Sequence, residues 1–264
     1  MGGAALVFLG GVGWLFVSQH SMIYHPRPYG GNYQHALPAN GVSIDYQLSF
    51  GKQTAYYIPT GDQMPKRIWV AFCGNASLAL DWTTILKGYP PNGDAFLLID
   101  YPGYGGNAGY ASVESTQATA MAAFKALVKR LGASENGLPL CVIGHSLGAA
   151  AALEFAVHHP VQRVVLIAPF TSLREEAACV VGSLLSRIVV DNYDNRANLR
   201  LVFRQNPTVD VAMFHGTRDD VIPVRMSQQL KREFPAIDYF PIEGADHVTV
   251  FDMAREQIIA WMNR

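Results

Sequence analysis

Short apolar segments alternate with longer helical patterns along this chain, and that order constrains the fold more than any other feature. Residues 68–72 form an uninterrupted apolar run, and residues 94–99 are apolar after their first residue, Asp94. Runs of this kind are typical of strands that are buried on both faces. Further strands are predicted at 139–143, 163–168, 211–214 and 237–242, and helices at 77–87, 113–131, 147–158, 224–233 and 247–263. This alternation predicts a mostly parallel sheet with right-handed crossovers.

Two more strands are predicted before the first of these runs. Residues 42–50 alternate apolar and polar side chains, which indicates an antiparallel edge strand. Residues 52–59 follow Gly51 and are expected to pair with that strand as a hairpin. Together the segments predict an α/β fold with an eight-stranded, mostly parallel sheet flanked by helices.

Composition and charge exclude several classes of function. The chain has 264 residues, of which 50% are hydrophobic, and this suits one domain with a substantial core. The formal net charge of -1 and the absence of a basic run give no basis for binding nucleic acid. The three cysteines are widely spaced, with no CxxC pair, so neither a zinc site nor a disulfide framework is expected.

The N-terminal residues differ from the rest of the chain. Residues 4–17 are nearly all apolar and carry no charge. A bilayer span needs about 20 such residues, so the segment is at the short limit, and it lacks the opening lysine or arginine of a signal peptide. We therefore expect residues 1–20 to be an uncleaved membrane anchor and residues 21–264 to form the domain. A first helix packed on the domain is the alternative.

The pentapeptide Gly144-His145-Ser146-Leu147-Gly148 has the pattern G-x-S-x-G and lies between a predicted strand and an alanine-rich helix. On such a tight turn a serine hydroxyl is held away from the sheet, and small residues two before and two after it let the turn close. The following backbone N–H groups belong to a helix N-terminus, where negative charge is stabilised. Ser146 is therefore a candidate nucleophile.

Two later motifs supply an acid and a base. Residues 211–214 lead into His215-Gly216-Thr217-Arg218-Asp219-Asp220, and residues 237–242 lead into Glu243-Gly244-Ala245-Asp246-His247. A serine, then an acid, then a histidine is the chain order of the α/β-hydrolases. Because active sites of parallel sheets lie at the carboxyl ends of the strands, these segments are expected to meet.

These motifs resemble the α/β-hydrolase family over nearly the whole of residues 21–264. Within it the chain looks like the small membrane-anchored carboxylesterase and prolyl-oligopeptidase-like branch. The resemblance implies that Ser146 attacks, His247 acts as general base and an aspartate orients it. Asp219 fits the H-G-x-x-D pattern with a proline four residues on, and Asp220 is the alternative.

The resemblance also implies an oxyanion hole. Leu147 N–H is one donor by its position in the motif, and Asn75 N–H is the second. Relatives have H-G-N-A or H-G-x in this loop, whereas this chain has Cys73-Gly74-Asn75-Ala76, so cysteine replaces the usual histidine. Gly74 allows close backbone approach and is assigned to the substrate site. Cys73 is interpreted as a small buried hydrophobe, with a reactive thiol as the alternative.

Other residues near these motifs are assigned supporting roles. Asp100 is expected to brace loops, and Tyr104 either lines an acyl pocket or only packs. His145 is expected to point away from the site, His215 to be structural and Asp246 to cap a turn. Residues 171–208 form either a short lid, with a helix at 173–188, or a plain crossover with a long loop.

The predicted activity is cleavage of an ester or thioester through an acyl-enzyme, with no metal and no cofactor. The expected substrate is a small-molecule or lipid-like ester, because a membrane anchor beside an open site favours such compounds. A peptidase or amidase of the prolyl-oligopeptidase-like type is the first alternative. A non-catalytic binding protein on the same fold is the second, since fold does not determine function.

Overall fold

The structure is a computed structural model that describes residues 18–31, 36–134 and 137–264. Of the predicted anchor, residues 1–20, only the last three positions fall within these ranges, and they are helical, as are residues 21–23. The rest of that prediction lies outside the described residues. Across the described ranges no helix combines the length and the apolar character needed to cross a bilayer.

The eight predicted strands form a single sheet in the order β1-β2-β4-β3-β5-β6-β7-β8. β2 runs antiparallel to both of its neighbours, and all other adjacent strands are parallel. The strands are β1 Val42–Leu48, β2 Gly51–Pro59, β3 Ile68–Phe72, β4 Ala95–Ile99, β5 Leu140–His145, β6 Val161–Ile167, β7 Asp210–Gly216 and β8 Asp238–Ile242. The predicted α/β fold with its eight-stranded sheet is confirmed.

Helices cover the sheet and connect its parallel strands. They are α1 Trp82–Ile85, α2 Val113–Leu131, α3 Leu147–His158, α4 Leu173–Val181, α5 Asn195–Gln205, α6 Arg225–Glu233 and α7 Val250–Met262. α2 shows how the sequence sets such bounds. Ser112 accepts a hydrogen bond from Ser115 N at its start, and Gly132 takes a left-handed conformation at its end.

The alanines of α3 let this helix lie close to the centre of the sheet. Residues 149–152 are all alanine and all buried, and Leu153 and Phe155 are fully buried beside them. A helix that is apolar on all sides suits a position enclosed by other elements. Burying each of the two larger side chains contributes roughly 1.5–3 kcal/mol, so this packing holds the first turn of α3 firmly against the strands.

The segment at 171–208 folds differently from the prediction. The helix expected at 173–188 ends at Val181, because Gly182 leaves the helical conformation with φ 84°. A 3₁₀ turn, Leu185–Ile188, follows it. The polar stretch after it is the helix α5, which is capped by Asp194 and buries Leu199 and Val202. Polar residues make up more than half of α5, so the spacing of its few apolar residues did not predict a helix.

Candidate active site

Ser146 lies between β5 and α3 in a backbone conformation that residues other than glycine rarely adopt, with φ 56° and ψ −121°. Two other non-glycine residues in the described ranges have positive φ, Ala76 and Ala168. They follow β3 and β6, the strands on either side of β5. Strained backbone of this kind persists only where the surrounding structure enforces it, and it clusters at functional sites.

Gly148 allows α3 to begin directly against the end of β3. A Cβ atom at this position would lie 2.2 Å from the Phe72 carbonyl oxygen and 2.4 Å from that of Cys73. Both are main-chain atoms, so no side-chain rotation can relieve the contact. The glycine is therefore needed for the turn that presents Ser146.

Replacing Gly148 with alanine is expected to lower the free energy of unfolding by roughly 3 kcal/mol or more, because the added methyl group overpacks fixed backbone. Urea denaturation would measure the loss. Gly106→Ala is the matched control, since nothing lies within 4 Å of a Cβ atom placed there. Equal stability of the two variants would show that α3 can move away from β3.

Hydrogen bonds connect Ser146, His247 and Asp219. The Ser146 hydroxyl lies 3.0 Å from His247 Nε2, and His247 Nδ1 lies 2.7 Å from Asp219 Oδ2. The geometry is satisfied when Nδ1–H donates to the carboxylate and the hydroxyl donates to Nε2. Asp220, the alternative acid, is exposed to solvent. The fold thus brings together three side chains that lie far apart in the sequence.

The loops after β7 and β8 hold the acid and the imidazole in place. Arg218 N donates to the Ala245 carbonyl at 2.9 Å and joins the two loops. Asp219 Oδ1 accepts hydrogen bonds from the N–H groups of Val221 and Ile222. As expected for a turn cap, the Asp246 carboxylate accepts from Thr249 N at 2.8 Å.

Asp219 is stabilised as a carboxylate by its neighbours. Burial acts to raise its pKa, but hydrogen bonds from His215 and His247 outweigh burial and hold the pKa well below the usual range. His215 Nε2 lies 3.1 Å from Asp219 Oδ2. The buried His215 ring therefore helps to hold the Asp219 carboxylate in place. This is the structural role that was expected for His215.

His145 was expected to point away from the site, and the structure places it beside His247. His145 Nε2 donates to the His247 carbonyl oxygen at 3.0 Å, and the two ring centroids lie 4.7 Å apart. Burial, followed by the nearby His247, lowers the pKa of His145 to about 3, so its ring is neutral at pH 7. Nothing in the pentapeptide indicates this contact, because it depends on where the loop after β8 lies.

The loop after β3 lies against the Ser146 turn. A Cβ atom on Gly74 would lie 2.7 Å from His145 Nδ1, so a side chain at this position would push the loop away. The N–H groups of Asn75 and Leu147 have no hydrogen-bond acceptor within the described part of the chain. Both candidate donors are therefore available for an oxygen atom of a bound molecule.

Tyr104 does not line an open pocket. Its side chain has no exposed surface, and its hydroxyl donates to Asn75 Oδ1 at 2.8 Å. The predicted substrate contact is therefore replaced by the packing alternative. Asp100 braces the same region, as expected, by accepting from Ala79 N at 2.8 Å and from the Tyr29 hydroxyl.

Cys73 is a buried side chain. Its thiol lies 3.3 Å from the Ser77 carbonyl oxygen, and burial raises its pKa well above the usual range. A thiol that stays protonated is a poor nucleophile, so the contacts favour the small-hydrophobe interpretation. Among the described residues no group of three or more acidic, histidine or cysteine side chains is arranged to hold a metal ion.

The chain matches a family profile described as serine aminopeptidase, S33, over residues 65–211. It is 32% identical to an uncharacterised protein of Mycobacterium tuberculosis (strain CDC 1551) over 239 residues, which are 86% of this chain and 79% of that protein.

Solved structures share the fold at low sequence identity. An α/β hydrolase from Vibrio vulnificus superposes with a TM-score of 0.72 at 15% identity, covering 95% of this chain and 92% of that one. An esterase from Pyrococcus furiosus superposes with a TM-score of 0.64 at 15% identity, covering 91% and 95%. The chain therefore belongs to the α/β-hydrolase superfamily, in the family described as serine aminopeptidase, S33.

Proposed function

We propose that this α/β-hydrolase is a serine esterase that cleaves carboxylic ester or thioester bonds through an acyl-enzyme. One observation carries the proposal: the Ser146 hydroxyl, the His247 ring and the Asp219 carboxylate form a chain of hydrogen bonds of 3.0 and 2.7 Å. This is the arrangement that makes a serine hydroxyl nucleophilic.

In the first half-reaction the Ser146 oxygen attacks the ester carbonyl carbon while its proton passes to His247 Nε2. The carbonyl oxygen gains the negative charge, and the N–H groups of Leu147 and Asn75 donate hydrogen bonds to it. The Asp219 carboxylate stabilises the imidazolium. When the intermediate collapses, the carbon–oxygen bond to the alcohol breaks and His247 gives its proton to the departing oxygen.

In the second half-reaction a water molecule replaces the alcohol. His247 takes a proton from this water, whose oxygen attacks the acyl carbon and forms a second tetrahedral intermediate in the same oxyanion hole. Collapse releases the carboxylic acid and returns the proton to Ser146. The serine, the imidazole and the backbone donors supply all of these steps, so the chemistry requires no metal or cofactor.

Apolar side chains around the candidate site support a lipid-like or otherwise apolar acyl group. Val221 follows Asp219 by two residues and Val248 follows His247 directly, and both are exposed. Val180 and Leu184 are also exposed, on the segment that follows β6. Exposed apolar side chains close in the chain to two members of the triad favour a substrate with an apolar group.

A serine peptidase or amidase is the second candidate, and the family description favours it. The same groups would act on an amide, with an amine as the leaving group. A peptidase of this type usually carries a large lid or an extra domain that limits which substrates enter. The segment between β6 and β7 contains α4, a 3₁₀ turn and α5, which is small for such a lid. We therefore place esters first.

A fluorophosphonate probe tests the proposed nucleophile directly. We expect the folded protein to be labelled at Ser146, as located by peptide mass mapping, and the heat-denatured protein to remain unlabelled. Labelling at another residue, or none, would contradict the proposal. Turnover of p-nitrophenyl esters of increasing acyl length, compared with aminoacyl amides, then separates the two candidates, and faster amide turnover would reverse their order.

A further inference from the structure

We infer that the segment immediately after the apolar N-terminus positions the second oxyanion donor. We call residues 19–27 the N-terminal strap. The inference rests on the proposed function, because it concerns the Asn75 N–H group that would stabilise the oxyanion. It assigns a positioning role to main-chain groups of the strap at Ile23 and His25.

Both the amide nitrogen and the amide oxygen of the Asn75 side chain form hydrogen bonds with the strap. Its Nδ2 donates to the Ile23 carbonyl oxygen at 2.7 Å and lies 3.2 Å from His25 Nδ1. Its Oδ1 accepts from His25 N at 2.8 Å. An amide group has two donors and one oxygen acceptor, and all of them are used here. The side chain therefore holds the backbone of its own loop against the strap.

Tyr104 also contacts both the Asn75 side chain and the strap. Its buried hydroxyl donates to Asn75 Oδ1 at 2.8 Å and accepts from His25 N at 2.9 Å. One oxygen thus connects the strap, the loop after β3 and the loop after β4. Losing it would remove one of the hydrogen bonds that Asn75 Oδ1 accepts and the direct link from Tyr104 to the strap, and each such bond typically contributes about 0.5–1.5 kcal/mol.

The strap is itself fixed along its length. Gln19 accepts from Val190 N at 2.8 Å, and the buried Tyr24 donates to the Asp191 carboxylate. Arg27 pairs with Asp81 at 2.8 Å. These contacts join the strap to the segment after β6 and to the turn before α1, so its path over the Asn75 loop is determined by the fold.

Oxyanion donors must be placed to within a fraction of an ångström, because their effect depends on hydrogen-bond geometry in the transition state. The adjacent Ala76 has a strained φ of 58°, and its N–H donates to Asn75 Oδ1 at 3.0 Å. The loop needs external support to keep this conformation. The docked strap provides that support, so the candidate site depends on residues that directly follow the apolar N-terminal stretch.

Two substitutions in the full-length chain test the inference. Tyr104→Phe removes only the hydroxyl, and His25→Pro removes the N–H donor at that position together with the imidazole ring. We expect kcat for a p-nitrophenyl ester to fall by about tenfold to a hundredfold, against the loss of about 10²–10³-fold when a donor is removed outright. KM should change less than about twofold, and the affinity for a trifluoromethyl ketone, which mimics the oxyanion, should fall in parallel with kcat.

The controls separate positioning from general stability. Tyr239→Phe removes a buried hydroxyl that has no hydrogen-bond partner in the described structure, and it should leave kcat unchanged. His25→Ala removes the ring but keeps the N–H donor, and it should restore most of the activity lost in His25→Pro. If His25→Pro does not fold, Tyr104→Phe decides alone, because it changes a single oxygen atom.

Three results would overturn the inference. A kcat within twofold of wild type for folded Tyr104→Phe would show that the bonds are only structural. A raised KM with unchanged kcat would assign these groups to substrate binding. Absence of turnover and of fluorophosphonate labelling in the wild type would contradict the proposed function as well, which distinguishes that failure from the first two.

Discussion

Replacing Ser146 with alanine is expected to lower kcat for ester hydrolysis by at least about four orders of magnitude. The variant keeps the oxyanion donors and the imidazole but has no oxygen to form the acyl-enzyme. Serine and alanine both carry a Cβ atom, so the substitution leaves the backbone strain at φ 56° unchanged. Thermal unfolding should therefore change little, and turnover of a p-nitrophenyl ester would measure the loss.

Ser43→Ala is a suitable control for this result. Ser43 is exposed on β1, at the edge of the sheet formed by the first strand, and its replacement should leave turnover at the wild-type level. Substantial turnover by the Ser146 variant would mean that water is activated without a covalent intermediate. Loss of turnover together with loss of the folded structure would leave fluorophosphonate mapping of the wild type to identify the nucleophile.

Replacing Asp219 with asparagine is expected to lower kcat by about 10⁴-fold, as loss of the triad acid does in serine proteases. The asparagine amide can donate to His247 Nδ1, which favours the ring tautomer with its proton on Nε2. That tautomer cannot accept the Ser146 proton. In the 2.7 Å hydrogen bond between His247 Nδ1 and Asp219 Oδ2, the donor and the acceptor would therefore exchange sides.

Asp220→Asn is the matched control, because it makes the same chemical change one position later. Its side chain is exposed, and the variant should keep kcat within about twofold of wild type, as surface substitutions usually do. The two kcat values, measured with the same ester, decide between the acids that the sequence left open. A larger loss for Asp220→Asn would contradict the observed geometry.

The fold could be predicted because burial on both faces leaves a clear sequence pattern. β3 and β4 are fully buried, and each is a short apolar run of the kind that periodicity detects. α5 escaped detection because its helical face is carried by only a few apolar residues among asparagines and arginines. The expected helix at 173–188 was too long, because Gly182 gave no decisive signal within an apolar context.

The candidate site was only partly predictable. Ser146, Asp219 and His247 each follow a strand inside a recognisable motif, so local sequence named them. His145 and Tyr104 were assigned incorrectly or left open, because their contacts are made with His247 and with Asn75, far along the chain. No local pattern reports the identity of a distant neighbour.

The amino-acid sequence by itself determined the order of strands and helices, the strand–turn–helix around Ser146 and the residue types available for acyl transfer. These features depend on periodicity, on glycine and on neighbours a few positions apart. The tertiary structure alone decided that His145 lies beside the His247 ring and that the N-terminal strap holds Asn75. It also places Asp219, which the sequence motif already favoured over Asp220, against His247. Those contacts join segments that only the packed sheet brings together, and hydrogen bonding requires distances of about 3 Å that no sequence spacing encodes.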